Sequence, residues 1–524
     1  MSKNLKEEQR KPYVLAIDNG TQSVRAIIFD LDGQVVAKSK VDIEPYFSSQ
    51  PGWAEQEPDY YWEMLCKACQ ELWTKFPKSK VTAAALTTQR ATMVNVDKAG
   101  KALRPAFVWL DQREQNNLDK LNPALEILIS LAGEKESLDY FRSQAEANWI
   151  ASNQPEIWKK TYKYLLLSGF HTYKLTGKFV DSVSSQVGYL PFDFKRLKWC
   201  GSKDWRWKAL PISPEMLPEL IPCGSELGRI TEQASKESGI PAGLPLISAG
   251  ADKACEVLGS GCLTPETGSL SYGTTATFNT TNSKYVEAIR HIPAYPAAMP
   301  DTYNTEMIVQ RGYWMVSWFK REFGLREQQI AKELGIEPEV LFDDLLKNVP
   351  PGSMGLTLQP FWNPGIRTPG PEAKGAMIGF GDVHTRAHIY RAIIEGLAYA
   401  LREGKELSEK KTGVKITKLM VSGGGAQSDE AMQITADIFG IAAHRPHTFE
   451  TSALGAAINA TVGADLYPDY KTAVSNMTHG GKIFYPIEAN KRIYDELYKD
   501  VYQKMYKRLS PLYKSIKAIT GYPK

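Results

Sequence analysis

Short apolar runs separated by polar turns dominate the first third of the chain, most clearly over residues 13 to 38. Val14-Leu15-Ala16-Ile17 is apolar, Asp18-Asn19-Gly20-Thr21-Gln22-Ser23 turns the chain, and Val24 to Asp30 is apolar again. That spacing predicts a β-hairpin. Asp32-Gly33 is a tight-turn dipeptide ahead of Gln34 to Lys38, so a three-stranded antiparallel meander is expected. Far downstream, GSLSYGTTATFN at 268 to 279 repeats the plan, with Gly273-Thr274-Thr275 as its turn. Two hydroxyl-rich hairpins suggest a duplicated fold whose halves face one nucleotide.

Between and beyond the hairpins the pattern changes period. A helix is expected from about Asp59 to Lys75. Val81 to Leu86 reads as a parallel strand running into Thr87-Thr88-Gln89-Arg90. Phe107-Val108-Trp109 repeats that pattern and runs into Leu110-Asp111-Gln112-Arg113. Polar residues at the carboxyl ends of strands in an α/β sheet are where ligands bind, although a strand running into a capped helix looks the same. Leu244 to Ser248 predicts a strand, Gly250-Ala251 a corner, and a helix starts near Lys253. Thr385 to Lys411 carries apolar residues at helical spacing, as a core-facing helix should. Lys418 to Ser422 is a strand followed by glycines at which a helix begins. Pro211 to Pro222 is proline-rich and reads as a rigid surface connection between helices. Lys491 to Leu509 is a basic helix whose tyrosine stripe packs on the core, and Pro511 is expected to stop it.

Composition narrows the class. At 524 residues the chain exceeds what one core holds, and two domains of roughly 250 residues are expected. A hydrophobic content of 43% and a charged content of 23% are ordinary for a globular protein. A net charge of +4 gives no reason to expect nucleic acid or an acidic membrane as partner. No apolar run has the length of a membrane span, and MSKNLKEEQRKP lacks the apolar core of a signal peptide, so a cytoplasmic protein is expected. A homodimer is left open.

The chemistry available is selective. Cys66 and Cys69 have metal-like spacing, but they sit in a helical pattern with no second pair, and the seven histidines form no HExxH. No GxxxxGK[ST] run is present, so a P-loop is not available for phosphate. The turn after Ile17 instead holds a carboxylate, a glycine and hydroxyls, the groups needed to hold Mg²⁺ and admit phosphate oxygens to backbone N–H groups. Taken alone, such turns also occur in hairpins that bind nothing.

The blocks DNGTQS, PGWAEQEP, TTQR, VWLDQR, YKLTGKFVDS, GADKACEVLGSG, YGTTATF and GGGAQSDEAMQITADIFG, with TSALGAA behind them, resemble the FGGY carbohydrate kinases. The resemblance runs from about Tyr13 to Gly463. It implies an α/β fold of two actin-like, ribonuclease-H-like ATPase domains flanking a deep cleft, divided at about residue 262 (1–262 and 263–524), with ATP and Mg²⁺ as cofactors and a small sugar or polyol as substrate. By the same matching, Asp252 is the general base. Asp18 holds the metal, Gly20, Thr21, Gln22 and Arg25 meet the phosphates, and Gly273 and Thr274 close on them from the other half. Gly424, Gly425 and Asp429 seat the adenosine. Gln89, Arg90, Trp109, Asp111 and Lys253 join Asp252 on the sugar side.

Several positions depart from the family pattern. Ala91 replaces a glutamate, Ile366 another within FWNPGIRTP, Asp429 an asparagine, and Lys253 a glutamine. The Lys253 cation either serves a substrate carboxylate or sits in an internal ion pair. An Asp before a helix is also an ordinary N-cap. Phosphorylation of a primary hydroxyl, first of a ketopentose such as D-xylulose and next of glycerol, is the expected reaction. A nucleotide switch without a metabolite substrate is the alternative from another class, and Asp252 and Trp109 argue against it. An inactive relative is a third reading of the same substitutions.

Overall fold

A computed structural model describes residues 12–116, 118, 135–289, 292–363 and 369–522. Its two large sheets have the same wiring. The first runs Val35–Asp42, Ser23–Phe29, Tyr13–Asn19, Val81–Thr88, Pro245–Ile247, Glu226–Arg229. The second runs Tyr295–Pro296, Tyr303–Val309, Ala276–Asn282, Thr267–Tyr272, Lys418–Ser422, Ala443–Pro446, Gly480–Phe484. In each, an antiparallel meander is followed by two strands parallel to its first strand and then by an antiparallel edge strand. This is the actin-like two-domain ATPase architecture, and both expected hairpins stand at the same place in it.

The strands form as the pattern predicts because both faces of the central ones are covered. Val14 to Ile17, Ala26 to Phe29 and Ala83 to Ala85 are fully buried, which suits continuous apolar runs. On one face of the first sheet lies the helix Pro58–Trp73, whose Tyr61, Leu65, Cys69 and Leu72 pack into the core. Cys66 and Cys69 are therefore core residues, free and buried, and burial pushes the Cys66 thiol up to about 12.

The other face of the first sheet is covered from the far end of the chain. The helix Thr451–Gly463 packs on Tyr13–Asn19, on Val81–Thr88 and on the helix Asp252–Gly259. A Cβ on Gly259 would lie 2.0 Å from the Thr451 carbonyl oxygen, and one on Gly455 would lie 1.9 Å from that of Cys255. Only glycine lets these two backbones touch, so the helix that begins at Asp252 is clamped by the C-terminal part of the chain.

Four expectations need correction. Phe107-Val108-Trp109 does not form another parallel strand of the main sheet. Ala106–Phe107 is a two-residue piece of a separate antiparallel sheet with Glu55–Gln56, Met93–Val96 and Lys163–Leu166. Its apolar run reads as a strand because Phe107 and Val108 are buried under Trp149 and its neighbours. The proline-rich 211–222 stretch is not a bare connector, because Glu219–Ile221 pairs in parallel with Val180–Ser182. The C-terminal helix is not stopped by Pro511. Glu488–Leu497 passes through a π-turn at Tyr498–Tyr502 into Gln503–Thr520, with the proline inside. Tyr494, Tyr498, Tyr502, Met505 and Tyr513 are buried along that element, and packing on both sides of the proline outweighs the roughly 3 kcal/mol a helix-interior proline costs. Finally, the glycines after Lys418–Ser422 open a 3₁₀ turn, Gly424–Gln427, and the α-helix starts at Asp429.

Candidate active site

The two hairpin turns present backbone N–H groups. In the first, the Gly20 N–H closes the turn on the Ser23 carbonyl at 3.1 Å, and the Gln22 carbonyl accepts from the Ile43 N–H at 3.0 Å. The N–H groups of Thr21 and Gln22 have no acceptor among the described residues. In the second, the carbonyls are tied back: Gly273 accepts from the Tyr313 N–H at 2.9 Å and Thr274 from the Trp314 N–H at 3.3 Å. The N–H groups of Gly273 and Thr274 have no acceptor among the described residues. Successive outward N–H groups of this kind make an anion-binding concavity.

Asp18 ends the strand Tyr13–Asn19 and is buried. Burial pushes its carboxyl up to about 7. Arg25 opposes the shift, and the negative charges of Asp252, Glu450 and Glu256 add to it. Arg25 Nη1 lies 3.3 Å from Asp18 Oδ2 and 3.3 Å from Glu450 Oε2, and Lys38 Nζ reaches the other Glu450 oxygen at 2.8 Å. Arg25 is thus held between the carboxylate before the first hairpin turn and one just ahead of the Thr451–Gly463 helix.

Asp252 is the first residue of its helix, and Ala251 takes the N-cap position without a side-chain bond. Asp252 Oδ1 accepts from the Lys253 N–H at 2.7 Å, while Oδ2 has no partner among the described residues. Burial raises its pKa above the usual carboxylate value, and Arg90 and Lys253 work against that rise. Lys253 Nζ turns aside to Glu256 Oε2 at 2.5 Å and Ser271 Oγ at 2.8 Å. The lysine is in the internal ion pair.

Trp109, Thr21 and Gln89 form one hydrogen-bonded chain. Trp109 Nε1 donates to Thr21 Oγ1 at 3.0 Å, and the Thr21 hydroxyl donates to Gln89 Oε1 at 3.2 Å. Gln89 is fixed by its own N–H, 2.9 Å from the Asn19 carbonyl. Trp109 keeps 40% of its surface exposed, which is a large flat apolar face open to a ligand. Asp111 is committed within the protein: Oδ2 accepts from the Ala54 N–H at 2.7 Å and pairs with Arg113 Nη2 at 2.7 Å. It braces the loop under Trp109 and has no free oxygen for a sugar. Arg90 crosses to the second half of the chain and makes a forked pair with Glu306.

On the nucleotide side, Gly423 has φ +84°, and a Cβ there would lie 2.8 Å from the Tyr272 backbone. The Gly424 and Gly425 turn is thereby laid against the second hairpin. A Cβ on Gly425 would lie 2.1 Å from the Tyr313 ring, whereas one on Gly424 meets nothing within 4 Å. Asp429 stands at the start of the following helix, paired with Arg445 at 2.7 Å and with Lys482. Asn363 bonds Arg311 Nε at 3.1 Å, while Ile366 lies outside the described residues.

Sequence reasoning missed Glu306, Tyr295 and Glu450. Each joins the site through contacts that span more than 200 residues, and no local spacing signals them.

The chain matches the models of the FGGY family of carbohydrate kinases, the N-terminal domain over residues 13–259 and the C-terminal domain over 268–464. It is 31% identical over 520 residues to the uncharacterised sugar kinase YgcE of Escherichia coli K12, covering 96% of this chain and 95% of that one. It is 26% identical over 508 residues to a xylulose kinase of Lactococcus lactis, covering 95% and 97%. The crystal structure of xylulose kinase from Rhodospirillum rubrum superposes with a TM-score of 0.80 at 23% identity, over 96% of this chain and all of the other. With a family model on each half, the chain belongs to the FGGY carbohydrate kinases, phosphotransferases that use ATP with Mg²⁺.

Proposed function

We propose that the protein transfers the γ-phosphoryl group of ATP to a primary hydroxyl of a small uncharged sugar or polyol, a ketopentose such as D-xylulose first and glycerol next. The observation that carries this is Asp252 Oδ2, left without a partner among the described residues, after a corner whose Gly250 carbonyl accepts from the Thr87 hydroxyl at 2.9 Å and with Arg90 near enough for the two charges to favour each other. An alcohol is a weak nucleophile, and a carboxylate within hydrogen-bond reach orients it and accepts its proton as the bond to phosphorus forms. Trp109 offers its face to the carbon side of the substrate, and Arg90 is placed to donate to a hydroxyl.

Asp18 fits a Mg²⁺ role. Burial pushes its carboxyl up to about 7 although Arg25 opposes the shift, and the charges of Asp252, Glu450 and Glu256 add to the rise, so a further cation beside it would be favoured. Mg²⁺ is commonly held by one or two carboxylates together with water and substrate phosphate, which is what Asp18 can offer. When bound, Mg²⁺ would neutralise charge on the phosphate oxygens. The N–H groups of Thr21, Gln22, Gly273 and Thr274 and the Arg25 guanidinium hold those oxygens from the two halves, 1–262 and 263–524, and closure of the halves excludes water. Gly424 leaves room for the adenosine, while Gly425 lets the turn pack on the Tyr313 ring.

Alignment with a xylulose kinase along 95% of this chain supports trying D-xylulose first, and glycerol kinases 29% and 28% identical over 87% and 88% of it keep glycerol next. The test is a coupled ADP assay with glycerol, D-xylulose, L-ribulose, erythritol and gluconate. Saturable ADP release with an uncharged acceptor is the expected result. ADP release independent of every acceptor would favour the nucleotide switch.

A further inference from the structure

We propose that Glu306 is a positioning and specificity residue for the sugar: reaching across from the second half, it holds the Arg90 guanidinium in the plane from which Arg90 donates to a substrate hydroxyl beside Asp252. The inference rests on the kinase reading and on Asp252 as its base.

Arg90 Nη1 lies 3.1 Å from Glu306 Oε1 and 3.2 Å from Oε2, and Nη2 lies 3.1 Å from Oε1. A forked pair fixes the orientation of a guanidinium as well as its place. The carboxylate is itself held. Glu306 sits opposite Asn279 in the strand pairing, and the Asn279 amide, in the orientation its neighbours demand, donates to Glu306 Oε2 at 3.2 Å and to the Thr305 carbonyl at 3.3 Å. The Glu306 side chain is 2% exposed and that of Arg90 19%, so the acceptor is sealed while the donor still faces the cleft. Tyr295 lies against the guanidinium with its ring centre 5.4 Å away.

The geometry leaves Arg90 with unused capacity. A guanidinium has five N–H donors. Glu306 engages Nη1 and Nη2, and Nε has no acceptor among the described residues. Arg90 and Asp252 also feel each other's charge, each favouring the ionised form of the other. The residue after Arg90 is Ala91, held at φ +51°, whose side chain has no acceptor. A carboxylate acceptor for Arg90 therefore comes from the opposite half of the chain. Arg90 follows a strand of the first sheet and Glu306 lies in a strand of the second, so the donor is seated by the packing of one part of the chain against the other.

The experiment is steady-state kinetics of wild type, Glu306→Gln and Glu306→Asp with MgATP and the same five acceptors, together with thermal melts. Glu306→Gln keeps shape and loses charge. Glu306→Asp keeps charge and loses reach, and serves if the first variant does not fold. In both, KM for the accepted sugar is expected to rise about 10- to 100-fold, the scale of a hydrogen bond to a charged group, with KM for ATP unchanged. A lowered melting temperature with the sugar KM unchanged would make the pair a structural staple and overturn the inference. Wild-type protein that releases no ADP with any acceptor would overturn the kinase reading, and the inference with it.

Discussion

Lys253 Nζ sits 2.5 Å from Glu256 Oε2, and the other Glu256 oxygen accepts from the Ser422 hydroxyl at 2.7 Å, so one buried carboxylate joins the Asp252 helix to the second sheet. Burial alone would raise the Glu256 pKa, but Lys253 and the hydroxyls of Ser422 and Ser271 bring it below the usual value. Removing the lysine strands that charge. Lys253→Met is expected to cost about 3–5 kcal/mol of stability, as breaking a buried pair does, measured by chemical denaturation. Because the cation is spent inside the protein, gluconate should gain no advantage in KM over an uncharged acceptor.

Asp252→Asn tests the base directly. The substitution keeps the shape of the helix start and the bond to the Lys253 N–H becomes neutral. Turnover is expected to fall by about 10² to 10⁴, the range general-base loss gives, with the melting temperature and ATP binding retained. Since burial raises the wild-type pKa, the acid limb of kcat/KM should lie above the ordinary carboxylate range. Near-normal turnover in Asp252→Asn would remove this residue from the mechanism.

Gly424 tests the proposed adenosine site separately from the proposed sugar site. A methyl group there meets no protein atom within 4 Å, whereas at Gly425 it would collide with Tyr313. Gly424→Ala should therefore leave folding unchanged and intrude where a nucleotide approaches. The expected result is a KM for ATP raised at least about 10-fold, equivalent to about 1.4 kcal/mol of binding, with the sugar KM unchanged. An unaltered KM for ATP would place the adenosine elsewhere.

How much was legible in the sequence divides by range. The hairpins at Asp18 and Gly273 and the strand ending near Asp252 were readable because a turn and its two strands lie within about twenty residues, where period and turn residues are the whole signal. Phe107 misled because a buried apolar run looks the same in a main sheet and in a two-residue bridge. Pro511 misled because the propensity penalty is local and the tyrosine packing that overrides it is not. For Asp111 and Lys253 the partners, Ala54, Arg113 and Glu256, decide whether they face a ligand, and partners are tertiary facts. Glu306 and Glu450 were invisible for the same reason.

His171 supports the first hairpin turn through Asn19, and it does so neutral. It is fully buried on the helix Leu167–Thr176, with Nε2 2.9 Å from Asn19 Oδ1, and burial, aided by Lys174, lowers its pKa from 6.5 to about 3. Between about pH 3 and 6.5 the unfolded chain binds a proton there that the folded protein refuses, so this group's contribution to stability is complete above pH 6.5 and declines as pH falls. The slope is about 1.4 kcal/mol per pH unit for one group. Asp18, Glu146 and Asp181, each pushed up to about 7 by burial, act in the opposite sense over the same window: they hold protons the unfolded chain releases, and stabilise less as pH rises. The total profile mixes both, so the signature is a difference. His171→Gln can still bond Asn19 and cannot titrate. The stability gap between wild type and this variant should shift by about 2 kcal/mol in the variant's favour from pH 7.5 to pH 5, measured by urea denaturation at each pH. A gap independent of pH would mean that His171 is protonated in the folded protein, and that the Asn19 turn rests on a charged support.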